Sequence, residues 1–233
     1  MTTATQVGMV LFPGLTQLDL TGPYEVLSRV PGVAMHLVAA TLSPIRSDTG
    51  LSILPTTTFA ECPPLDVVCV PGGPGVNDAM LDAELVEFLA RQATAARYVT
   101  SVCSGALVLG AAGVLRGRHA ATHWASVEFL DTFGATSSHQ RVCVDGNVIT
   151  GGGVTAGIDF GLYLASVLAG EETAQRIQLS LEYAPEPPFN AGSPRTAPAA
   201  VVEAYRAGAA SVLGRRAEAV RAAAAKLEAT TRE

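Results

Sequence analysis

Short runs of apolar, largely β-branched residues alternate along this chain with longer segments of helical periodicity. The clearest runs are residues 7–12, 33–41, 66–70 and 98–102. A strand that is apolar on both faces has to be covered on both, as in parallel sheets that lie between helices. The alternation therefore predicts an α/β protein with a mostly parallel sheet sandwiched by helices. In such a sheet the active site lies at the carboxyl ends of the strands.

The segments between these runs supply the predicted helices. Residues 15–30 have a helical pattern that Gly22-Pro23 should interrupt, with Pro23 in the first turn of a second helix. Asn77 or Asp78 is the predicted N-cap of a helix that reaches about residue 95. Further helices are predicted at 106–115, 124–133, 155–169 and 171–183, a weak strand at 51–57, and a hairpin with an Asp145-Gly146 turn at 141–150.

The last fifty residues differ from the rest of the chain. Residues 184–198 are rich in Pro and Gly, which indicates an irregular connector, and residues 199–227 are rich in Ala with apolar side chains at helical spacing. We expect an α/β domain over residues 1–183, followed over residues 184–233 by the connector and C-terminal helices that pack on the domain or on a partner subunit. The alternative is a functional basic patch. Its arginines would be Arg206, Arg215, Arg216 and Arg221.

Composition narrows the class of protein. The 233 residues are 48% apolar and 15% charged, with a net charge of −6, which predicts a large core and argues against nucleic-acid binding. The first six residues lack the basic region of an export signal, and no apolar stretch reaches the ~20 residues of a membrane span. The four cysteines and four histidines show no metal or disulfide spacing. We therefore expect a cytoplasmic protein with reduced thiols and no bound metal.

Cys103 is the most informative single residue. It follows the β-branched run 98–102 and precedes an apolar helical segment, and Ser101 and Gly105 are small. A reactive side chain at a sharp strand-to-helix turn is the arrangement of a nucleophile elbow. The helix N-terminus should also favour the thiolate. The alternative is that Cys103 is a small core residue, as the patterns around the other cysteines indicate for Cys69 and Cys143.

Four further residues are candidates for a catalytic role beside this thiol, and each also has a structural interpretation. Asp19, amid apolar residues, either organises a turn or acts as an acid/base. Ser104 either caps the helix, the commoner role, or donates to a substrate. Gly73 either belongs to a tight turn or aims its N–H, together with that of Ser104, at a developing anion. His123, beside Trp124, is either structural, which is commoner, or an acid/base.

These residues, taken together, resemble the ThiJ/PfpI superfamily, which has the class I glutamine amidotransferase-like, flavodoxin-like fold. The resemblance spans nearly the whole chain. It rests on the motifs Asp19-Leu20-Thr21-Gly22-Pro23, Val70-Pro71-Gly72-Gly73, Ser101-Val102-Cys103-Ser104-Gly105, Gly110-Ala111-Ala112-Gly113-Val114-Leu115, Ala121-Thr122-His123-Trp124 and Thr150-Gly151-Gly152-Gly153-Val154-Thr155-Ala156-Gly157-Ile158-Asp159. Within the superfamily the chain is most similar to the bacterial isocyanide hydratases, also in residues 182–194.

The resemblance implies a cofactor-free homodimer, a carbon–nitrogen hydro-lyase that converts a small isocyanide and water to an N-substituted formamide. Cys103 would be the nucleophile and Asp19 its acid/base partner, through a covalent thioimidate. Ser104 stands where those enzymes usually have Thr, and it keeps the hydroxyl without the stiffening β-branch. Neither the His that follows the nucleophile in protease-like members nor the glutaminase His and Glu is present.

Two other functions remain open from the sequence. The same thiol could perform glyoxalase-type or hydrolytic chemistry. The chain could instead be a ligand- or redox-sensing module without turnover, as in transcription regulators in which a helix-turn-helix domain follows this fold. About 35 residues follow the connector. That length is too short for a pair of helix-turn-helix motifs.

Overall fold

The computed structural model describes residues 4–232. Residues 1–3, part of the segment searched for an export signal, lie outside the described residues, as does residue 233. A central sheet has the strand order β10-β11-β7-β6-β1-β2-β5, and two small sheets pair β3 with β4 and β8 with β9. The strands are β1 (Thr5–Val10), β2 (Val33–Ala39), β3 (Ile45–Arg46), β4 (Ser52–Ile53), β5 (Thr57–Thr58), β6 (Val67–Val70), β7 (Tyr98–Val102), β8 (His119–Ala121), β9 (Thr136–Ser138), β10 (Val142–Asp145) and β11 (Val148–Gly151).

The strand order determines at which edge of the sheet the candidate site lies. All pairs in the central sheet are parallel except β10–β11, the hairpin predicted at 141–150. Its two turn residues are Gly146 and Asn147, one position later than predicted, because Asp145 pairs with Val148. The succession β2-β1-β6-β7-β11 is the flavodoxin-like order, in which the direction of strand addition across the sheet reverses between β1 and β6. The loops after β1, β6 and β7 therefore open side by side at one edge. The expectation of a mostly parallel α/β fold is confirmed.

The helices surround a core whose strands β6 and β11 are buried throughout. Helix α1 packs closely on α5, and α5 packs in turn on α6. Within residues 4–232 no helix is both long and apolar enough to cross a membrane. The helices are α1 (Gln17–Leu27), α2 (Val76–Ala79), α3 (Ala83–Ala93), α4 (Gly105–Ala111), α5 (Ala156–Ala169), α6 (Glu171–Ser180) and α7 (Ala199–Arg232), with 3-10 helices at Trp124–Phe129 and Asp131–Phe133.

The predicted break at Gly22-Pro23 is wrong, because α1 runs through it. Pro23 lies inside the helix and is buried, so one backbone hydrogen bond is lost. Tertiary packing outweighs that loss. Gly22, Gly157 and Gly161 bring α1 and α5 together: a Cβ on Gly161 would lie 3.1 Å from Val26 Cβ. The dipeptide is therefore a helix-packing contact.

Three helix predictions also need correction. The helix expected to run from residue 77 to about 95 is two helices, α2 and α3, and the N-cap of α3 is Asp82, whose carboxylate accepts from the N–H groups of Glu84 and Leu85. The segment 124–133 forms 3-10 turns. The C-terminal helices expected after the connector are a single helix, α7, which contacts α2, α4 and the 3-10 helix Trp124–Phe129.

The close α1–α5 contact predicts a specific sensitivity. Gly161→Leu should lower the free energy of unfolding by about 2 kcal/mol or more, because the new side chain has no space beside Val26. The matched control is Gly208→Leu on α7, where nothing lies within 4 Å of a Cβ atom. Urea denaturation should show no loss for that control, since Leu is the better helix former. Equal losses for the two variants would contradict this packing account.

Candidate active site

The Cys103 elbow has the backbone geometry that the motif predicts. Cys103 has φ 56°, one of two positive values at non-glycine residues in the described chain. Such a conformation costs about 1–3 kcal/mol and persists only where surrounding contacts impose it. Here the Cys103 N–H donates to Gly151 O at 3.0 Å, and Thr122 Oγ1 donates to Cys103 O at 2.9 Å. A Cβ atom on Gly105 would overlap the carbonyl of Val70, so only glycine fits after the turn.

Asp19 reaches the elbow from α1. Its side chain is fully buried, and Gly72 N–H donates to its Oδ2 at 2.9 Å. The other oxygen, Oδ1, is buried and accepts no hydrogen bond from the described residues. The carboxyl nevertheless lies close enough to the Cys103 thiol for each group to shift the pKa of the other. The Asp19 carboxyl and the Cys103 thiol are therefore interacting neighbours within the site.

Ser104 does not cap α4 with its side chain, so the commoner of its two sequence interpretations is wrong. Its Oγ instead accepts from Gly73 N–H at 3.1 Å and lies 3.3 Å from Gly73 O, to which it can donate. The Gly73 N–H is thereby engaged within the protein. The expectation that Gly73 aims this N–H at a substrate anion needs correction: in this arrangement the group orients Ser104.

Gly72 is the point where these groups converge. A Cβ atom there would lie 2.6 Å from Ser104 N and 2.8 Å from both Asp19 Oδ2 and Ser104 Oγ. Those distances are below any normal van der Waals contact, so the loop after β6 has to carry glycine. The N–H groups of Gly72 and Gly73 donate hydrogen bonds to the Asp19 carboxyl and the Ser104 hydroxyl, respectively.

Burial determines the protonation of the pair. It raises the pKa of the Asp19 carboxyl to about 7, although the bond from Gly72 N–H opposes the shift. Burial first, and the nearby Asp19 carboxyl second, raise the pKa of the Cys103 thiol well above its usual range. The Ser104 N–H at the start of α4 favours the thiolate, as the helix N-terminus predicts, but burial and Asp19 outweigh this effect. The resting pair is a neutral thiol beside a carboxyl that titrates near neutrality.

The other sequence candidates have contacts that match structural roles. His123 Nδ1 accepts from Ala125 N–H at 3.3 Å, and its ring packs against Trp124 and Tyr205. Burial lowers its pKa, and the nearby Arg216 lowers it further. These contacts match the structural interpretation of His123. Cys69 and Cys143 are buried in β6 and β10, as core cysteines should be.

Arg216 is the residue that sequence reasoning missed. The sequence groups it only with the arginines of a possible basic patch in the C-terminal segment, yet it is 6% exposed and donates to Gly73 O at 2.9 Å. The Ala-rich helical pattern shows that α7 packs on something, but not which arginine turns inward. Among the described side chains, no group of three His, Cys, Asp or Glu could hold a metal ion.

The fold and the site define a flavodoxin-like α/β protein with a buried thiol at a nucleophile elbow. The DJ-1/PfpI family profile matches residues 5–166. The chain belongs to the DJ-1/PfpI family. A protein from Pseudomonas putida named "Isonitrile hydratase" is 58% identical over 224 residues, which cover 96% of this chain and 98% of that protein.

Two further relatives show the range of the family. The crystal structure of a ThiJ/PfpI family protein from Pseudomonas syringae superposes with a TM-score of 0.91 at 44% identity, over 93% of this chain and 90% of that one. The transcriptional regulator GbdR of Pseudomonas aeruginosa is 27% identical over 73% of this chain, which corresponds to 48% of the regulator. The fold thus occurs both on its own and within a larger regulator.

Asp19→Asn should stabilise the protein at alkaline pH. In the unfolded chain the carboxyl ionises near its ordinary pKa, but in the folded protein it ionises only near 7. Folding therefore binds a proton between these values, and native stability falls as pH rises through that interval. At pH 8 the variant should gain up to about 4 kcal/mol in free energy of unfolding, and little near pH 4. Urea denaturation across pH tests this, with Asp78→Asn, an exposed carboxyl, as control. A gain independent of pH would contradict the assigned shift.

Proposed function

We propose that this protein is an isocyanide hydratase, a carbon–nitrogen lyase that converts R–N≡C and water to the formamide R–NH–CHO. The observation that carries the proposal is the 58% identity, over nearly both whole chains, with a protein named for hydration of isonitriles, which are isocyanides. The site supports it chemically. A thiol and a carboxyl with a pKa of about 7 are the two groups that the addition requires.

The first half of the reaction adds the thiol to the isocyanide. At neutral pH about half of the Asp19 side chains are carboxylates, since the pKa is about 7. Such a carboxylate takes the Cys103 proton while the sulfur bonds to the terminal carbon, and Asp19 then returns that proton to the same carbon. The product is a thioimidate, R–N=CH–S–Cys103, in which every atom of thiol and isocyanide is retained.

The second half hydrolyses the thioimidate. Asp19, again a carboxylate, takes a proton from water as the water oxygen bonds to the imidate carbon, and it passes that proton to the nitrogen. The resulting N,S-acetal, R–NH–CH(OH)–S–Cys103, collapses to R–NH–CHO as Asp19 takes the hydroxyl proton and returns it to the departing sulfur. Acid–base help of this kind contributes about 10²–10⁴ in rate. The role we assign to Ser104 is to stabilise developing charge through its N–H and hydroxyl, with Gly73 orienting that hydroxyl.

The alternatives receive less support from the site. A redox-sensing cysteine is typically exposed and has a low pKa, whereas Cys103 is buried and its pKa is raised. The relative with a regulatory role is about twice as long as the matched region, and residues 199–232 form a single helix here. Glyoxalase or hydrolase chemistry uses the same thiol, and comparing an alkyl isocyanide with methylglyoxal as substrates separates these activities.

We infer in addition a cytoplasmic homodimer. All four cysteines are free thiols, as expected in a reducing compartment. The charged fraction is low, and Leu179, Val167 and Tyr163 on α5 and α6 are exposed apolar side chains that a second subunit could cover. We assign residues 1–183 to the α/β domain and residues 184–233 to the connector and helical extension.

Cys103→Ala should abolish conversion of an alkyl isocyanide to its formamide, because no sulfur remains to form the covalent intermediate. Product formation is followed by NMR of the formyl proton. Cys62→Ala, a loop thiol outside the site, is the matched control and should retain activity. Near-normal turnover in Cys103→Ala would overturn the assignment of the nucleophile. No turnover by the wild-type protein with any alkyl or aryl isocyanide would overturn the function.

The pH profile reports on Asp19. Only the carboxylate can accept the thiol proton, so kcat/KM should rise with pH and level off with a midpoint near 7. Asp48 raises the pKa of Asp19 through its negative charge, so Asp48→Asn should move the midpoint to lower pH. A profile that is flat from pH 5 to 8, or that falls with pH, would contradict the role of Asp19.

A further inference from the structure

Arg216 is a buried cation that cross-links four parts of the molecule. From α7 its Nε donates to Asn77 Oδ1 at 3.0 Å, Nη1 to Ser126 Oγ at 2.9 Å, and Nη2 to Gly73 O at 2.9 Å. Asn77 lies in α2 and Ser126 in the 3-10 helix Trp124–Phe129, and both are buried. The guanidinium is thus fixed from three sides by uncharged acceptors.

No carboxylate balances this charge within the described part of the chain: every partner of Arg216 is neutral. A buried cation is costly unless it is paired, and burial lowers the pKa of Arg216 accordingly. A purely structural cross-link between these elements needs no charge. The arrangement is explained if a negative charge forms nearby during the reaction.

The Cys103 sulfur is the group where such a charge forms. Arg216 holds Gly73 O, Gly73 N–H holds Ser104 Oγ, and Ser104 directly follows Cys103. The positive charge also favours the thiolate of Cys103, against the opposing effect of Asp19. The other titratable or charged groups facing this region are Tyr205 on α7, His123, whose neutral form Arg216 favours, and Asp48 beyond Asp19.

We propose that Arg216 is a positioning residue of the active site, which stabilises the transient Cys103 thiolate and fixes the Gly73–Ser104 contact. The C-terminal helix α7 then contributes a residue to the active site. The predicted effect of Arg216 on turnover rests on the proposed function, whereas its predicted effect on the reactivity of the Cys103 thiol does not. The two can therefore be measured separately.

The first measurement is the alkylation rate of Cys103 by iodoacetamide, followed by mass spectrometry of the peptide that contains it. Arg216→Met should raise the pKa of the Cys103 thiol further, because a positive charge that favours the thiolate is lost. At a fixed pH below that pKa, the rate should fall about threefold for each tenfold drop in the thiolate fraction, since each remaining thiolate becomes more nucleophilic. Arg216→Lys keeps the charge and should recover most of the rate.

Two control variants separate charge from cross-linking. Arg215→Met changes the neighbouring exposed arginine, whose partner is Ser211, and should leave alkylation unchanged. Ser126→Ala removes one hydrogen bond of Arg216 but keeps its charge, and should also leave the rate near that of the wild type. Comparable slowing by Ser126→Ala and Arg216→Met would overturn the electrostatic role. Alkylation of Cys103 in Arg216→Met at the wild-type rate would also overturn the electrostatic role.

Steady-state kinetics with an alkyl isocyanide form the second arm. Arg216→Met should lower kcat about tenfold or more with KM little changed, because the charge acts on the reacting sulfur. Should Arg216→Met fail to fold, Arg216→Lys and Ser126→Ala carry the test: alkylation of Cys103 in Arg216→Lys that is at least threefold slower than in the wild type, although the charge is retained, contradicts the proposal. If the wild type turns over no isocyanide, the function fails while the alkylation result still decides the role of Arg216.

Discussion

The two peptide N–H groups of Gly72 and Gly73 set the geometry on which the site depends. One holds the Asp19 carboxyl and the other holds the Ser104 hydroxyl, so a single short loop after β6 brings groups from α1 and from the β7–α4 turn together. Any side chain at Gly72 would occupy the space of both. The parallel sheet makes this possible, because β1, β6 and β7 are adjacent and end at the same edge.

Burial gives this arrangement its chemistry. Removed from water, Asp19 holds its proton up to about pH 7, so it can both accept and return a proton near neutrality. The Cys103 thiol stays neutral at rest because the same burial and the same carboxyl disfavour its anion. A neutral resting thiol resists oxidation and alkylation, and it becomes nucleophilic only as Asp19 takes its proton. The positive charge of the buried Arg216 stabilises the Cys103 thiolate while it exists.

Features that depend on local pattern could be predicted from the sequence. The buried runs define the parallel strands, Asp145-Gly146 defines the hairpin, and the elbow around Cys103 follows from small residues between a strand and a helix. The meeting of Asp19 with this elbow follows from a topological rule, since neighbouring parallel strands share an edge. Each of these inferences uses residues close in sequence or a general property of α/β sheets.

Features that depend on tertiary contact could not be predicted. Pro23 stays inside α1 because α5 packs against it, and Arg216 turns inward because acceptors ninety or more residues away converge on it. The helix N-terminus that favours the Cys103 thiolate is visible in the sequence, whereas the burial and the Asp19 carboxyl that outweigh it are not. Asp82, three residues before the first apolar position of α3, was passed over for earlier polar residues.

The central claim is that the Cys103 sulfur bonds to the isocyanide carbon during turnover. Rapid acid quenching of the working protein with saturating alkyl isocyanide, followed by peptide mass spectrometry, tests it directly. The account predicts that the peptide containing Cys103 gains the mass of one whole isocyanide molecule and loses it again as substrate is exhausted. Formamide production with no adduct on Cys103 at any time, or with an adduct only on another residue, would contradict the account.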